Sequence, residues 1–311
     1  MTRPCVSIIM PSLNAGPFLE RAICSALDQS YDNIEVFVID GGSVDGSQDT
    51  IRLYENELTW WTSEPTHGRA GAINAGLARV IEHRRAQSSH DIIAIVNGDD
   101  LLLPGAVHDV VNRMSKDDAP GWVVGRCMQI DESDRMLGTL EATAPASLAG
   151  FLMHNSGHLP AASMFFRHSV IKEYGLFDAD LSLGFEYEYA CRLLAAGLSP
   201  TIMPQTLAAR REHPRRRTAI ETLRRGGEYI EAAQRYADCL PVPQRVTLWR
   251  NCDRRRQIYA LAQAETVGGA RRLLWQQLLR HPWWLTNDTF RNRLLHGVAH
   301  PAPPVAARPA A

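Results

Sequence analysis

Apolar positions along this chain follow two rhythms, and the first gives way to the second near residue 213. In the earlier part, runs fit for buried strands, "CVSIIM" (5–10), "IEVFVID" (34–40), "LTWWTS" (58–63) and "DIIAIV" (91–96), alternate with segments in which apolar residues recur every three to four positions. That spacing predicts helices from about Pro17 to Gln29, from near Ser47, from about Arg69 to Arg84 and from Pro104 to about Met114. "GWVVGRCMQI" and "RMLGTL", joined by the turn "DESD", predict a pair of strands. Alternation with short connections implies an α/β fold, a mostly parallel sheet with helices on both faces. Beyond residue 213 only the helical rhythm continues, with breaks expected near Gly226-Gly227 and at "PVP" (241–243). The expected organisation is therefore an α/β domain over 1–213, a helical C-terminal region over 214–298 and a tail over 299–311, "AHPAPPVAARPAA", whose composition predicts disorder.

Charge sharpens that division. Residues 1–200 carry 14 basic and 26 acidic side chains, a balance of -12, whereas residues 201–311 carry 19 and 8, a balance of +11. Lys116 and Lys172 are the only lysines, so the basic excess is arginine, and it reads either as anion recognition or as a bias of composition. "LLWQQLLRHPWWL" sets Trp and Leu beside arginine, a pattern that suits a helix lying at a membrane interface and equally a helical cap on the catalytic domain. The longest apolar runs fall well short of the roughly 18 to 20 residues a membrane helix needs, and the N-terminus lacks a signal-peptide pattern. The expected location is cytoplasmic, with a possible place at the inner face of the cell membrane. Six cysteines without a CxxC pair predict free, mostly buried thiols. No nucleic-acid-reading motif accompanies the basic region.

The candidate chemistry sits at strand ends. Asp40 closes one predicted strand, and "NGDD" places Asp99 and Asp100 just after another. In an open α/β sheet, loops at the carboxyl ends of strands converge on one crevice. Adjacent carboxylates repel unless a cation or hydrogen-bond donors compensate, and hard divalent cations such as Mn²⁺ or Mg²⁺ bind carboxylate and phosphate oxygens together. Capping of the following helix is the competing reading of the pair. The first strand runs into "PSLNAGPF" rather than G-x-G-x-x-G, and no G-x-x-x-x-G-K-[ST] occurs, which removes the dinucleotide and P-loop classes.

In this order and spacing, "VSIIMPSLNAGPFLERAICSALDQSY", "IEVFVIDGGSVDGS", "SEPTHGRAGAINAGL", "IIAIVNGDDLLLPGA", "PAASMFFRHSVIKEYGLFDADLSLGFEYEYACRLLAAG" and "ARREHP" resemble glycosyltransferase family 2, the inverting nucleotide-sugar transferases of GT-A fold. The resemblance implies a GT-A domain with a C-terminal helical extension. It places Pro11, Ser12, Asn14 and Asp40 in the nucleotide pocket, Asp99 toward the sugar and ribose, and Asp100 as the direct ligand of Mn²⁺ or Mg²⁺. Arg69, Asn74 and Arg211 become candidate donor contacts, and His213 a residue closing over diphosphate or metal. "EYEYACRL" matches the family segment that carries the base, which makes Glu186 the expected catalytic base, one methylene longer than the family's usual Asp. A glutamate stabilised by the helix dipole is the alternative for Glu186, and Glu188 is expected to pair with Arg192 four residues on.

Departures from the family pattern bear on function. Gly41 stands where many relatives carry a second acid that reads the base, and Thr66, Gly71 and Ala75 replace residues that are often charged. The resulting expectation is a metal-dependent transferase that moves a sugar from a nucleoside-diphosphate sugar to a carbohydrate or lipid-linked hydroxyl, in polysaccharide or glycolipid synthesis. A nucleotide-sugar-binding protein without transfer activity is the second reading.

Overall fold

A computed structural model describes residues 3–83, 90–116, 119–154, 156–213, 219–266, 270–286, 290, 291 and 294. Its α/β part runs β1 (Val6–Ser12), α1 (Gly16–Leu27), β2 (Ile34–Asp40), α2 (Ser47–Leu53), β3 (Trp60–Ser63), α3 (Gly68–His83), β4 (Ile92–Ile95), β5 (Leu101–Leu102) and α4 (Ala106–Met114). There follow β6 (Trp122–Ile130), β7 (Met136–Leu140), α5 (Leu148–Leu152), β8 (Met164–Arg167), α6 (His168–Tyr174), α7 (Phe185–Ala195) and β9 (Thr201–Arg211). Three helices complete the described chain, α8 (Ala219–Arg235), α9 (Val242–Thr266) and α10 (Ala270–Arg280). The tail expected after residue 298 and the run 214–218 lie outside the described residues.

The strands form one sheet in the order β3-β2-β1-β4-β8-β6-β9-β5, with β7 added to β6. Its N-terminal half is parallel, as the alternation predicts, whereas β4/β8, β6/β8, β6/β7 and β5/β9 are antiparallel and β6/β9 is parallel. The sheet is thus mixed: β6 and β7 form a hairpin, and the other antiparallel pairs join strands that are not consecutive in the chain. Strands β5, β8 and β9 are not marked by the hydrophobic pattern alone.

Both faces of β1 are covered, which is why its residues are all buried and its sequence is almost continuously apolar. Val6, Ile8 and Met10 join one core with Leu19, Ala22, Ile23 and Ala26 of α1 and with Val107 and Val110 of α4. Ile9 points the other way and joins Phe37, Ile73, Leu77, Phe185 and Tyr189. The spacing of the buried α1 residues gives that helix one apolar stripe, and Pro17 in its first turn needs no backbone donor.

Helices α8 and α9 extend this second core, because Ile230, Ala232, Ala233, Leu248 and Cys252 are buried within it. The break expected at Gly226-Gly227 does not occur, and α8 is continuous from Ala219 to Arg235. A Cβ on Gly226 would come within 2.3 Å of the Tyr259 ring, so this glycine is a packing device between α8 and α9. Farther on, Leu274, Leu278, Trp284 and Phe290 pack with Ala260, and the indole N–H groups of Trp283 and Trp284 both donate to Asp253. All six cysteines are free, four of them buried. Among the described residues, no helix is long and apolar enough to cross a membrane.

Candidate active site

Strand order reverses about β1, with β2 on one side and β4 on the other, and the three strands are parallel. The loops after these strands therefore open on one crevice at the switch point. Pro11 and Ser12 end β1 and Asn14 follows it, Gly41 follows β2, and Asn97 to Asp100 follow β4. Pairing of β5 with β9, Leu101 with Ala209, then carries Arg211 and His213 back to Asp99. One cavity of about 520 Å³ lies here, bordered by Ser12, Asn14, Gly41, Thr66, Asp99 and His213.

Its wall is tied together by side chain to backbone bonds. Asn14 adopts a left-handed backbone (φ 52°), which asparagine tolerates better than most residues. Its N–H donates to Ser43 Oγ at 2.7 Å, and its Oδ1 accepts from Val44 N–H at 3.1 Å, joining the β1 and β2 loops. His213 and Asp99 meet at the opposite rim, Nε2 to Oδ2 at 3.1 Å, with the imidazole beside the Phe18 ring. The hydroxyl of Ser12 and Nδ1 of His213 are both buried without a hydrogen-bond partner, so polar groups at this cavity are left for a ligand to satisfy.

A second cavity of about 210 Å³ adjoins the first, bordered by Glu186, Asp100, His158, Tyr187, Arg210 and Tyr229. Arg69, Asn97 and Arg225 border both, so they mark the junction. Glu186 stands in the first turn of α7. Its Oε1 accepts from Arg69 at 2.6 Å, and Arg69 also lies 4.9 Å over the Phe185 ring. The other oxygen, Oε2, is buried without a partner. Tyr187 is packed against Phe151, His154 and Tyr229, and burial drives its phenol far above the ordinary range, so it is a neutral hydrogen-bonding group. Glu188 takes the expected pairing with Arg192, at 2.6 Å, on the far side of the helix from Glu186.

Four predicted site residues are placed differently from expectation. Asp100 is fully buried, with Oδ1 accepting from Arg211 N–H at 3.0 Å and Oδ2 from Asn97 at 2.7 Å, so it braces the loop where it meets the smaller cavity, while Asp99 borders the larger one. Arg211 is also fully buried, and it holds the Asp99 carbonyl, the Asp131 carbonyl and the Asp134 carboxylate; it is not a phosphate contact. Asp40 does not border the cavity: its carboxylate accepts from Ser43 N–H, Gly42 N–H and the Ser43 and Ser63 hydroxyls, fixing the turn that does. Asn74 makes a reciprocal pair with the Phe177 backbone at 2.8 and 3.0 Å, which ties α3 to the segment leading into α7. Conversely, Asn97 and Arg225 border both cavities and carry no mark in the sequence beyond, for Asn97, its place two residues before Asp99.

The site is thus a carboxylate–imidazole pair at the switch point of an open α/β sheet, with a second, carboxylate-bearing cavity beside it. Residues 7–175, more than half of the chain, match the family described as Glycosyl transferase family 2, and the chain belongs to that family. An uncharacterized glycosyltransferase of Mycobacterium tuberculosis is 30% identical over 193 residues, 61% of this chain and 68% of that protein. One of Rickettsia typhi is 27% identical over 192 residues, 60% of this chain and 57% of its own length. Glycosyltransferase GlyG of Streptococcus pneumoniae is 28% identical over 132 residues, 42% of this chain and 41% of that protein, so the chain spans about half the length of several curated relatives it matches. Among solved structures, Staphylococcus aureus TarS 1–349 in complex with UDP superposes with a TM-score of 0.59 at 13% identity, covering 93% of this chain and 88% of that one. The mannosyltransferase PcManGT of Pyrobaculum calidifontis, in complex with GDP-Man and Mn²⁺, gives 0.54 at 18% identity, covering 94% and 84%. Both likenesses are of fold.

Proposed function

We propose that the protein is a metal-dependent inverting glycosyltransferase that moves a sugar from a nucleoside-diphosphate sugar to a hydroxyl of a carbohydrate or lipid-linked acceptor, in polysaccharide or glycolipid synthesis. The observation that carries this reading is the pair of adjoining cavities, one rimmed by Asp99 and His213 and the other by Glu186. The named ligands of the structural neighbours, UDP-GlcNAc for TarS and GDP-Man with Mn²⁺ for PcManGT, support a donor of this class.

Asp99 and His213 fit a divalent cation in chemistry, offering one carboxylate and one imidazole. No cluster of three or more His, Cys, Asp or Glu suited to a metal occurs among the described residues, so phosphate and water oxygens would complete the shell, the usual arrangement for Mg²⁺. A bound cation supplies positive charge where the leaving diphosphate becomes more negative. The remaining work belongs to the chain. Ser12, Asn14 and Thr66 border the cavity that receives the donor, and Asp99 orients its sugar toward the junction. Glu186 reaches the acceptor hydroxyl from the smaller cavity. Arg69 holds Oε1, which leaves Oε2 to take the proton. The acceptor oxygen bonds to the anomeric carbon as the bond to the diphosphate oxygen breaks, its electron pair leaving with the nucleoside diphosphate. Attack opposite the leaving group inverts the anomeric centre.

A screen of nucleotide sugars by thermal shift, with and without Mn²⁺, tests the reading. One donor should raise the melting temperature in proportion to occupancy, and only when Mn²⁺ is present. Failure of every nucleotide sugar to stabilise the protein contradicts it.

The same proposal places the protein at the cytoplasmic face of a membrane. Trp275, Leu279, Trp283 and Leu285 are exposed around Arg280, although Leu278 and Trp284 of the same stretch are buried. This row suits contact with an anionic lipid surface. Vesicles containing anionic lipid should co-sediment the protein more than neutral ones, less as salt rises, and less for Trp275→Ser/Leu279→Ser than for wild type. Equal sedimentation of the two proteins would remove the contact from the account.

A further inference from the structure

Helix α8 is held against the start of α7, the helix that carries Glu186. Gly184 precedes α7 and has no side chain to cap it, yet its N–H and that of Leu183 both donate to Glu228 Oε2 at 2.7 Å. A carboxylate at a helix N-terminus satisfies donors that the helix leaves open and faces the positive end of its dipole. Here it comes from another helix. A Cβ on Gly184 would sit 2.9 Å from Glu228 Cβ, so this approach requires glycine. Arg224 adds a bond to Ser182 Oγ at 2.7 Å and an ion pair with Glu228 at 3.3 Å.

This clamp fixes where the next residue, Arg225, points. Its side chain borders both cavities at their junction, with the guanidinium 5.5 Å over the Tyr229 ring. Its Nε is buried without a hydrogen-bond partner. Among the described residues no carboxylate pairs with it, whereas Arg69, the other arginine at the junction, is engaged by Glu186. A partly buried cation with an open donor calls for an anion, and the planar guanidinium fork matches phosphate oxygens.

Resting on the donor reading above, we infer that Arg225 binds the diphosphate of the nucleotide-sugar donor and neutralises charge on it as the bond to the sugar breaks. The electron pair of that bond passes to the phosphate oxygen, next to which Arg225 places a positive charge at the junction of the cavities. The basic helical region is then part of the active site, contributing Arg225 to the substrate and Glu228 to the position of α7. A diphosphate on a lipid-linked acceptor shares the same chemistry, and a test with nucleotides alone separates the two sources.

Isothermal titration of the full chain with UDP, GDP, CDP, ADP and dTDP in Mn²⁺ provides the test. Arg225→Met retains the apolar stem over Tyr229 and removes the charge; Arg225→Lys retains the charge without the fork. For the nucleotide that binds wild type most tightly, Arg225→Met should weaken binding by about tenfold or more, as expected for loss of a charge-assisted bond, and Arg225→Lys should restore part of it. Circular dichroism melts of the three proteins should coincide. Unchanged nucleotide affinity in Arg225→Met, with a wild type that does bind, would overturn the role of Arg225 and leave the donor reading standing. Absence of wild-type binding to any of the five would instead overturn the donor reading, and this inference with it.

Discussion

Replacing Asp99 with Asn should lower turnover by roughly 10²-fold or more and remove its dependence on Mn²⁺, the scale expected when charge stabilisation at a leaving group is lost. Asp99 Oδ2 and His213 Nε2 face one another at the rim of the larger cavity, where an amide could accept a hydrogen bond but would hold a divalent cation poorly. Asp100→Asn should behave differently. Its carboxylate accepts from Arg211 N–H and Asn97 Nδ2 in full burial, so an amide there sets a donor against a donor on one side. The expected cost is about 1–3 kcal/mol of stability, seen in a chemical denaturation midpoint, with Mn²⁺ dependence retained. Comparison of the two neighbours separates ligand from brace. If Asp100→Asn abolished Mn²⁺ dependence while Asp99→Asn did not, the assignment would be reversed.

Glu186→Gln carries the second large effect. The amide keeps the length of the side chain and still offers an oxygen to Arg69, but it cannot take up a proton. Turnover should fall by roughly 10²-fold or more, while donor affinity changes little because Glu186 borders the smaller cavity and not the larger one. A rate within a few-fold of wild type would move the base elsewhere, and a matching loss of donor affinity would show that Glu186 serves the larger cavity.

Much of this arrangement was legible before any coordinates, and the reasons differ from place to place. Strand–helix alternation through residue 114 reads directly because β1 is buried on both faces and α1 on one, so burial itself writes the pattern. The convergence of Ser12, Asn14 and Asp99 follows from parallel strands sharing their carboxyl ends. Which of two adjacent aspartates borders the larger cavity does not follow, because Asp100 is held by the backbone of Arg211, more than a hundred residues away, through the pairing of β5 with β9. Arg211 itself reads as a phosphate contact until that pairing buries it. Asp40 and Asn74 fall at the right places along the chain, yet their polar atoms are used on the Gly42–Ser43 turn and the Phe177 backbone. At Gly226 local propensity pointed to a break, and packing against Tyr259 overrides it. Arg225 lies in no motif; it reaches the junction on α8, which core packing and the bond of Glu228 to Gly184 hold against α7.

Release of nucleoside diphosphate from the nucleotide sugar that most stabilises the protein, followed with and without Mn²⁺ for wild type and Glu186→Gln, tests the central claim most directly. The account predicts wild-type turnover that requires Mn²⁺, and a Glu186→Gln protein that binds the same donor but turns it over at least about a hundredfold more slowly. A wild-type protein that binds the donor and never releases the nucleoside diphosphate, alone or with glycan or lipid-linked acceptors, would contradict it and make the protein a nucleotide-sugar-binding module.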